Sequence, residues 1–310
     1  MNKLSVASFT NLGFKLHQRG FQPVKADLSG RTALVTGATG GIGLEVAKQL
    51  AHLDARVIVV GRDEQKLADA GNVIDGDVRL ERADLSSLSQ VRTLGEDLAK
   101  SETVDILINN VGVLLPEYTT TDEGLEKSFA TNLAGQFMLT NLLLPGMIGR
   151  GQGRVIIVSS GGMYTARLDP ERVQMDRSNY NGTKAYAMAK RGQVVATELW
   201  AEQIEGTGVV VNAMHPGWVE TSGVAFSLPT FNKIMKPLLR SVEQGADTIV
   251  WLAASEEGGR HSGRFFFDRR AVETHLSDST VATPESRTRL MQMLERQTET
   301  RAPRAQATDS

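Results

Sequence analysis

The sequence predicts an α/β protein built on one doubly wound parallel sheet with helices on both faces, and three observations carry that prediction. Nearly continuous β-branched and aliphatic runs recur within residues 32–36, 55–62, 104–112, 154–160 and 209–214, as expected of parallel strands covered on both sides. Helical patterns separate these runs with no shift in composition and no internal repeat. The first run ends in Thr36-Gly37-Ala38-Thr39-Gly40-Gly41-Ile42-Gly43 and passes straight into helix-forming residues, the strand, turn and helix of a Rossmann-type unit.

With 310 residues, 41% of them hydrophobic, the chain can bury a large core. The length suits one large α/β domain or two small ones, and the unbroken alternation favours one. We expect a leader segment at 1–29, a catalytic domain at 30–283 with a substrate lid around 223–241, and a C-terminal helix and tail at 284–310. The tail beyond Thr300 reads as disordered.

A formal net charge of -2, with no basic stripe interleaved with aromatics, argues against a nucleic-acid partner. There is no cysteine, which excludes disulfides, thiolate metal sites and cysteine nucleophiles and suits a reducing compartment; no metal is expected. The N-terminus has no continuous apolar core of a signal peptide, and no run is long enough to span a bilayer, so the chain reads as soluble and cytoplasmic. Phe9, Leu12, Phe14, Leu16 and Phe21 with Lys15, His17 and Arg19 compose a short basic amphipathic patch. A leader helix packed on the domain is favoured over contact with a membrane.

In the opening turn, Gly37, Gly41 and Gly43 keep side chains out of the way. The backbone around Thr39, Gly40 and Ile42, with the positive end of the helix that follows (Val46, Ala47, Leu50, Ala51), can then approach a pyrophosphate. The second strand ends in Gly61-Arg62. A carboxylate at that tip would hold the adenosine ribose, whereas a guanidinium matches the extra phosphate of NADP by charge and fork geometry. Arg62 therefore indicates NADP(H), with NAD(H) as the alternative. The third strand, Val78-Arg79-Leu80-Glu81-Arg82-Ala83, leads to Asp84-Leu85. The Asp84 carboxylate can accept from an adenine amino group, or cap the helix containing Leu88 and Val91.

The fourth strand stops on Asn109-Asn110-Val111-Gly112, placing amides where ligands bind in open parallel sheets. Asp122-Glu123-Gly124 leads into a helix through Phe129, Leu133, Phe137 and Leu139 that contains Asn132, a poor helix-interior residue whose side chain needs a separate task. The fifth strand ends on Ser159-Ser160, and the irregular, polar stretch 161–182 reads as a flap beside a pocket. A long helix at 183–204 and a strand at 209–214 follow, closed by the turn His215-Pro216-Gly217-Trp218-Val219-Glu220-Thr221. Mixed apolar residues and prolines at 223–241 suit a mobile lid. A helix at 243–254, a short strand at 263–267 and a helix beyond Pro284 through Leu290, Met293 and Leu294 complete the chain.

The chemistry centres on Ser160, Tyr186 and Lys190. Tyrosine and lysine four apart share one helical face, so the ammonium is expected near the phenol, drawing its pKa below the ordinary value of about 10 and making it an acid/base near neutrality. Ser160 would hold a substrate oxygen between itself and Tyr186 while hydride passes to or from a nicotinamide. Tyr180 and Lys184 have the same spacing, but Asn181-Gly182 is a turn signal that interrupts them, so the second pair is chosen.

In order, Thr36-Gly37-x3-Gly41-Ile42-Gly43, Asn109-Asn110-Val111-Gly112, Asn132, Ser160, Tyr186-x3-Lys190 and Pro216-Gly217 resemble the motifs of the short-chain dehydrogenase/reductase family across residues 30–268. The resemblance implies that Asn132 supports a proton-relay water, Ser160 orients the carbonyl, Tyr186 is the acid/base, and Lys190 binds the nicotinamide ribose while tuning the tyrosine. It also implies that Val219 and Thr221 contact the nicotinamide carboxamide and the pyrophosphate.

The stretches 158–163, 215–218 and 263–269 look most like the branch called dehydrogenase/reductase family member 12, with the retinol-dehydrogenase-like branch its neighbour. The sequence departs from the family pattern at Val111, where alanine is usual, and in a long interval between Ser160 and Tyr186. The expected activity is NADP(H)-dependent interconversion of an alcohol and a carbonyl on a small, apolar substrate, the apolar reading resting on Met163, Phe226, Leu228 and Phe231. The alternatives are a non-catalytic nucleotide-binding scaffold and a membrane-associated lipid or retinoid reductase; a homo-oligomer is compatible with either.

Overall fold

The structure, a computed structural model, describes residues 6–220, 233 and 235–303. Its strands are β1 (Thr32–Thr36), β2 (Arg56–Gly61), β3 (Val78–Arg82), β4 (Val104–Asn109), β5 (Gly153–Val158), β6 (Val209–Met214), β7 (Phe265–Phe267) and β8 (Arg270–Val272). They form one sheet in the order β3-β2-β1-β4-β5-β6-β7-β8, parallel until β8 returns antiparallel to β7. The order reverses between β1 and β4, which opens the crevice in which such sheets bind ligands.

The helices are α1 (Asn11–Gln18), α2 (Gly41–His52), α3 (Glu64–Gly71), α4 (Leu88–Ser101), α5 (Lys127–Phe129), α6 (Gly135–Arg150), α7 (Gly182–Gln203), α8 (Val242–Ala254) and α9 (Pro284–Thr298). Because successive strand residues point to opposite faces, the apolar runs divide between two cores. Leu34, Ile58, Leu107, Val155 and Ile157 pack with Val91 of α4, Phe137 of α6, Val195 of α7 and Leu290 of α9. Val35, Val57, Val59, Ile108 and Ile156 pack with Val46 and Leu50 of α2, Leu67 of α3 and Ile249 of α8. Burying each such side chain contributes roughly 1.5–3 kcal/mol, so continuous apolar strands are what a two-sided sheet requires.

Four local expectations are corrected. The helix cap after β3 is Ser87, which accepts from the Gln90 amide, while Asp84 accepts from the Ser86 amide and hydroxyl at 2.9 and 2.8 Å. The stretch 161–182 is no loose flap: Met163, Leu168 and Val173 are core residues, the Tyr164 hydroxyl donates to the Glu273 carbonyl at 2.7 Å, and Arg191 donates to the carbonyls of Ala166 and Thr274. Beyond Thr300 the chain is packed as far as Ala302, which is buried and donates to Glu295.

The fourth correction is strand β8, unannounced because its two-residue turn has no glycine. Asp268 and Arg269 both take left-handed backbone (φ 49 and 58), and each is held there by its own ion pair, to Arg240 and to Asp247. The leader packs on the domain, with Phe14 buried. Among the described residues no helix is long and apolar enough to cross a membrane. Of the expected lid, only 233 and 235–241 belong to the described part.

Candidate active site

The glycine turn between β1 and α2 is bare by necessity. Gly37 and Gly41 have positive φ (65 and 53), and a Cβ on Gly43 would stand 2.5 Å from both the Gly37 carbonyl and Asn110 Nδ2. Gly40 precedes α2 without a capping side chain, so the first-turn N–H groups are left for an anion. Thr36 and Asn110 hold the turn in place. Thr36 Oγ1 accepts from the amides of Asn110 and Val111 at 3.0 and 3.2 Å, and Asn110 Nδ2 donates to the carbonyls of Thr36 and Gly37 at 2.9 and 3.3 Å. Ile42 packs toward Gly245 of α8 beside Val219, which ties the turn to the far side of the crevice.

Arg62 is exposed beyond the tip of β2, and its guanidinium lies 3.8 Å from Asp84. The neighbouring acid, Asp63, is occupied as the cap of α3, accepting from the Lys66 amide at 2.9 Å. A side chain at Gly61 would overlap the Thr39 methyl group, so the strand tip must be bare here too. Two expected contacts face the core instead: Leu85 is buried, and the Asn109 amide donates to Thr140 Oγ1 at 2.9 Å. Both can offer a nucleotide only their backbone. Val111 accepts from Gln136 Nε2 through its carbonyl.

The structure brings the pair chosen from the sequence together on one helix and leaves the rival pair apart. Asn181 caps α7 by accepting from the Lys184 amide, so Tyr180 falls outside the helix, and its hydroxyl is tied to Ser128 Oγ and the Leu115 carbonyl, both at 3.0 Å. Tyr186 and Lys190 lie on the first turns of α7, with Lys190 Nζ 5.5 Å from the centre of the Tyr186 ring. Ser160 stands at the carboxyl end of β5; a Cβ on Gly162 would lie 3.5 Å from Ser160 Oγ and 4.0 Å from Tyr186 Cε1, so the two side chains converge on one space.

The electrostatics differ from the expectation of a cation-activated phenol. Burial pushes the Tyr186 hydroxyl up, with its Ser160 hydrogen bond working the other way. Burial also pushes Lys190 down to about 7. Its Nζ donates to the Val158 carbonyl at 2.8 Å, a neutral partner that does not offset desolvation of an ammonium. The Tyr186 phenol is therefore protonated at neutral pH.

Because the folded chain releases a proton that the unfolded chain keeps, Lys190 lowers stability most below about pH 7, and the penalty fades as pH rises toward the ordinary value of 10.5. We expect Lys190→Met to raise the melting midpoint by about 2–4 °C at pH 6, the shift that about 1 kcal/mol produces in a large domain, with the gap narrowing toward pH 10. Calorimetry across that range checks it; a gap that does not change with pH contradicts the burial cost.

Asn132 lies in a π-turn, Ala130–Ala134, between α5 and α6, a distortion common at functional sites. Its side chain accepts from the Val113 amide at 2.8 Å and donates to the Val113 carbonyl at 2.7 Å. Asn132 Oδ1 and Lys190 Nζ flank the space above Gly112. The Asn132 carbonyl accepts from Gln193 Nε2 at 2.6 Å, and the same group donates to Gln136 Oε1. Sequence reasoning missed this amide pair. Its signal was a glutamine three residues after Lys190, on the same helical face.

At the opposite wall, Gly217 (φ 81) makes room for the Arg240 guanidinium, which donates to the Pro216 carbonyl at 3.2 Å. Val219 is buried and bridges to Arg240. Thr221 lies outside the described residues, as do Phe226, Leu228 and Phe231.

A bare glycine turn after β1 and a Tyr-Lys pair beside a serine at the end of β5 thus share one edge of the sheet. The sequence matches the short chain dehydrogenase family over residues 31–229. The chain belongs to the short-chain dehydrogenase/reductase family. It is an NAD(P)-dependent oxidoreductase of that family, acting on small molecules. The chain is 37% identical to dehydrogenase/reductase SDR family member 12 of Homo sapiens, with 94% of each chain covered. It is 34% identical to retinol dehydrogenase 13 of Homo sapiens over 85% of this chain and 84% of that one. A solved structure from Beutenbergia cavernae with bound NADP at low occupancy is 25% identical, with a TM-score of 0.65, covering 77% of this chain and 95% of that one.

Proposed function

We propose that the chain is an NADP(H)-dependent oxidoreductase interconverting an alcohol and a carbonyl, with Tyr186 as the general acid/base. The observation that carries this reading is the convergence of Ser160 and Tyr186 on one space beside Lys190, on the same sheet edge as the bare turn at Gly37–Gly43. Bound nicotinamide supplies or accepts the hydride; the protein supplies aim and the proton. Ser160 positions the substrate oxygen, and the protonated Tyr186 hydroxyl gives its proton to that oxygen as charge develops. Lys190 reaches toward the nicotinamide ribose, and the Asn132 carbonyl region supports the proton path.

Residues supporting the coenzyme are the turn from Gly37 through Thr39, Gly40, Gly41, Ile42 and Gly43, with Asp84 and the backbone of Leu85, Asn109 and Val111 on one side and Pro216, Gly217 and Val219 on the other. The capped Asp63 and exposed Arg62 favour NADPH over NADH. We expect Arg62→Ala to weaken NADPH about 10–100-fold, the size of one charge-assisted contact, and NADH less than twofold. Calorimetric titration of both nucleotides decides; equal losses would remove the phosphate role.

Met163 is a core residue and lends nothing to an apolar substrate. Support for that reading comes instead from the half-buried aromatics Phe9 and Trp218 at the site's edge, and from kinship with a protein named as a retinol dehydrogenase. A panel of aldehydes and ketones followed by NADPH absorbance tests the activity itself. Absence of turnover across the panel, with nucleotide bound, would favour the scaffold reading.

A further inference from the structure

The N-terminal segment does more than cover the domain. Its backbone is clamped at the site's rim: the Phe9 carbonyl accepts from the Trp218 amide at 2.9 Å and from Arg240 Nε at 3.2 Å, and the Ser8 carbonyl accepts from Arg240 Nη2 at 2.6 Å. Further along, His17 Nδ1 lies 2.7 Å from Asp268, and Arg269 donates to the Gln22 carbonyl at 2.6 Å while lying over the Phe21 ring. Both left-handed residues of the β7–β8 turn therefore hold the same strap.

That clamp fixes where the Phe9 ring stands. Its centroid is 5.6 Å from Trp218 (stacked), 5.0 Å from His215 and 5.4 Å from Phe267. Its edge would lie 3.0 Å from a Cβ on Gly161, the residue immediately after Ser160. Gly161 and Trp218 come from the two segments that bracket the reacting centre, at the carboxyl ends of β5 and β6. Phe9 fills the gap between them and keeps part of its surface open. A rigidly held aromatic in that position is built as a wall rather than as core.

We propose that Phe9 is a specificity-determining residue: the N-terminal strap supplies one wall of the substrate site, and the Phe9 ring limits the bulk a carbonyl substrate can carry on the side facing Gly161 and Trp218. The proposal rests on the reading of Ser160 and Tyr186 as the reacting centre. Phe9 touches no reacting atom in this scheme; it selects by exclusion, so its removal should alter the ratio between large and small substrates rather than the chemistry common to both.

The test uses the full chain, NADPH, and two probes that differ only in bulk, benzaldehyde and 4-phenylbenzaldehyde. In Phe9→Ala, kcat/KM for the larger aldehyde relative to the smaller should rise about tenfold or more, within the range one hydrophobic pocket contact commands. Phe9→Leu, which keeps an apolar anchor for the strap, should fall between, and NADPH affinity should stay within twofold. Binding of both aldehydes to the NADPH-saturated proteins, measured by calorimetry, gives the same ratio without requiring turnover. A shifted binding ratio with no turnover in any protein upholds the wall and removes the catalytic reading. A ratio unchanged within twofold in both variants, by turnover or by binding, overturns the wall, as does a wild-type chain that takes neither aldehyde in either assay.

Discussion

Tyr186→Phe is expected to cut NADPH-dependent carbonyl turnover by about 10²–10⁴-fold, the range ascribed to a positioned general acid, while NADPH affinity changes less than twofold. The substitution removes one oxygen and leaves the ring that lies 5.5 Å from Lys190, so packing on α7 is kept and only the proton is lost. Ser160 retains its other partner, the Gly162 amide, which it accepts at 3.1 Å. The residual rate should also lose the pH dependence that Tyr186 imposes. Steady-state kinetics with nucleotide titration measures both quantities, and unchanged turnover would refute the assignment.

The largest structural effect is expected from Arg240→Met. Arg240 and Asp268 are buried, with 1% and 2% of their side-chain surfaces exposed, where an ion pair survives only if every polar atom is met. All five guanidinium N–H donors are accounted for: Nε by the Phe9 carbonyl, Nη1 by the Pro216 carbonyl and Asp268 Oδ1, and Nη2 by the Ser8 carbonyl and Asp268 Oδ2. The flat face of the group also lies over Phe14 and Phe267.

Methionine would leave the Asp268 carboxylate buried with His17 alone, a loss on the order of 3–5 kcal/mol and about 10 °C in melting midpoint. Amides of residues 8–18 should exchange much faster than those of the sheet. Adding Asp268→Asn, which removes the stranded charge, should recover part of the loss. A variant that melts like wild type would contradict this account of the strap.

Local rules carried far at the glycine turn and in helix α7. A turn that takes positive φ at Gly37 and Gly41 and leaves no room for a side chain at Gly43 announces itself in residue types, because glycine adopts that backbone without steric cost. The choice of Tyr186 over Tyr180 was equally local, since Asn181 both breaks the earlier pair and caps the helix. Strand β8 and the Ser87 cap were hidden for the opposite reason. Asp268 and Arg269 are unusual turn residues, stabilised by partners about twenty to thirty positions away. In the Asp84-Leu85-Ser86-Ser87 run several side chains can cap, and packing selects one.

Residue order alone thus specified the two-faced sheet, the bare glycine turn and the Tyr-Lys pair, since each is governed by neighbours within a turn or by the period of a strand. Assembly of the chain settled the rest: which amides face the core at Asn109, how far burial displaces the proton affinities of Tyr186 and Lys190, and that the leader is strapped beside Ser160 by Arg240 and Asp268. Solvent exclusion and long-range pairing depend on what surrounds a side chain in space, and no spacing along the chain records that.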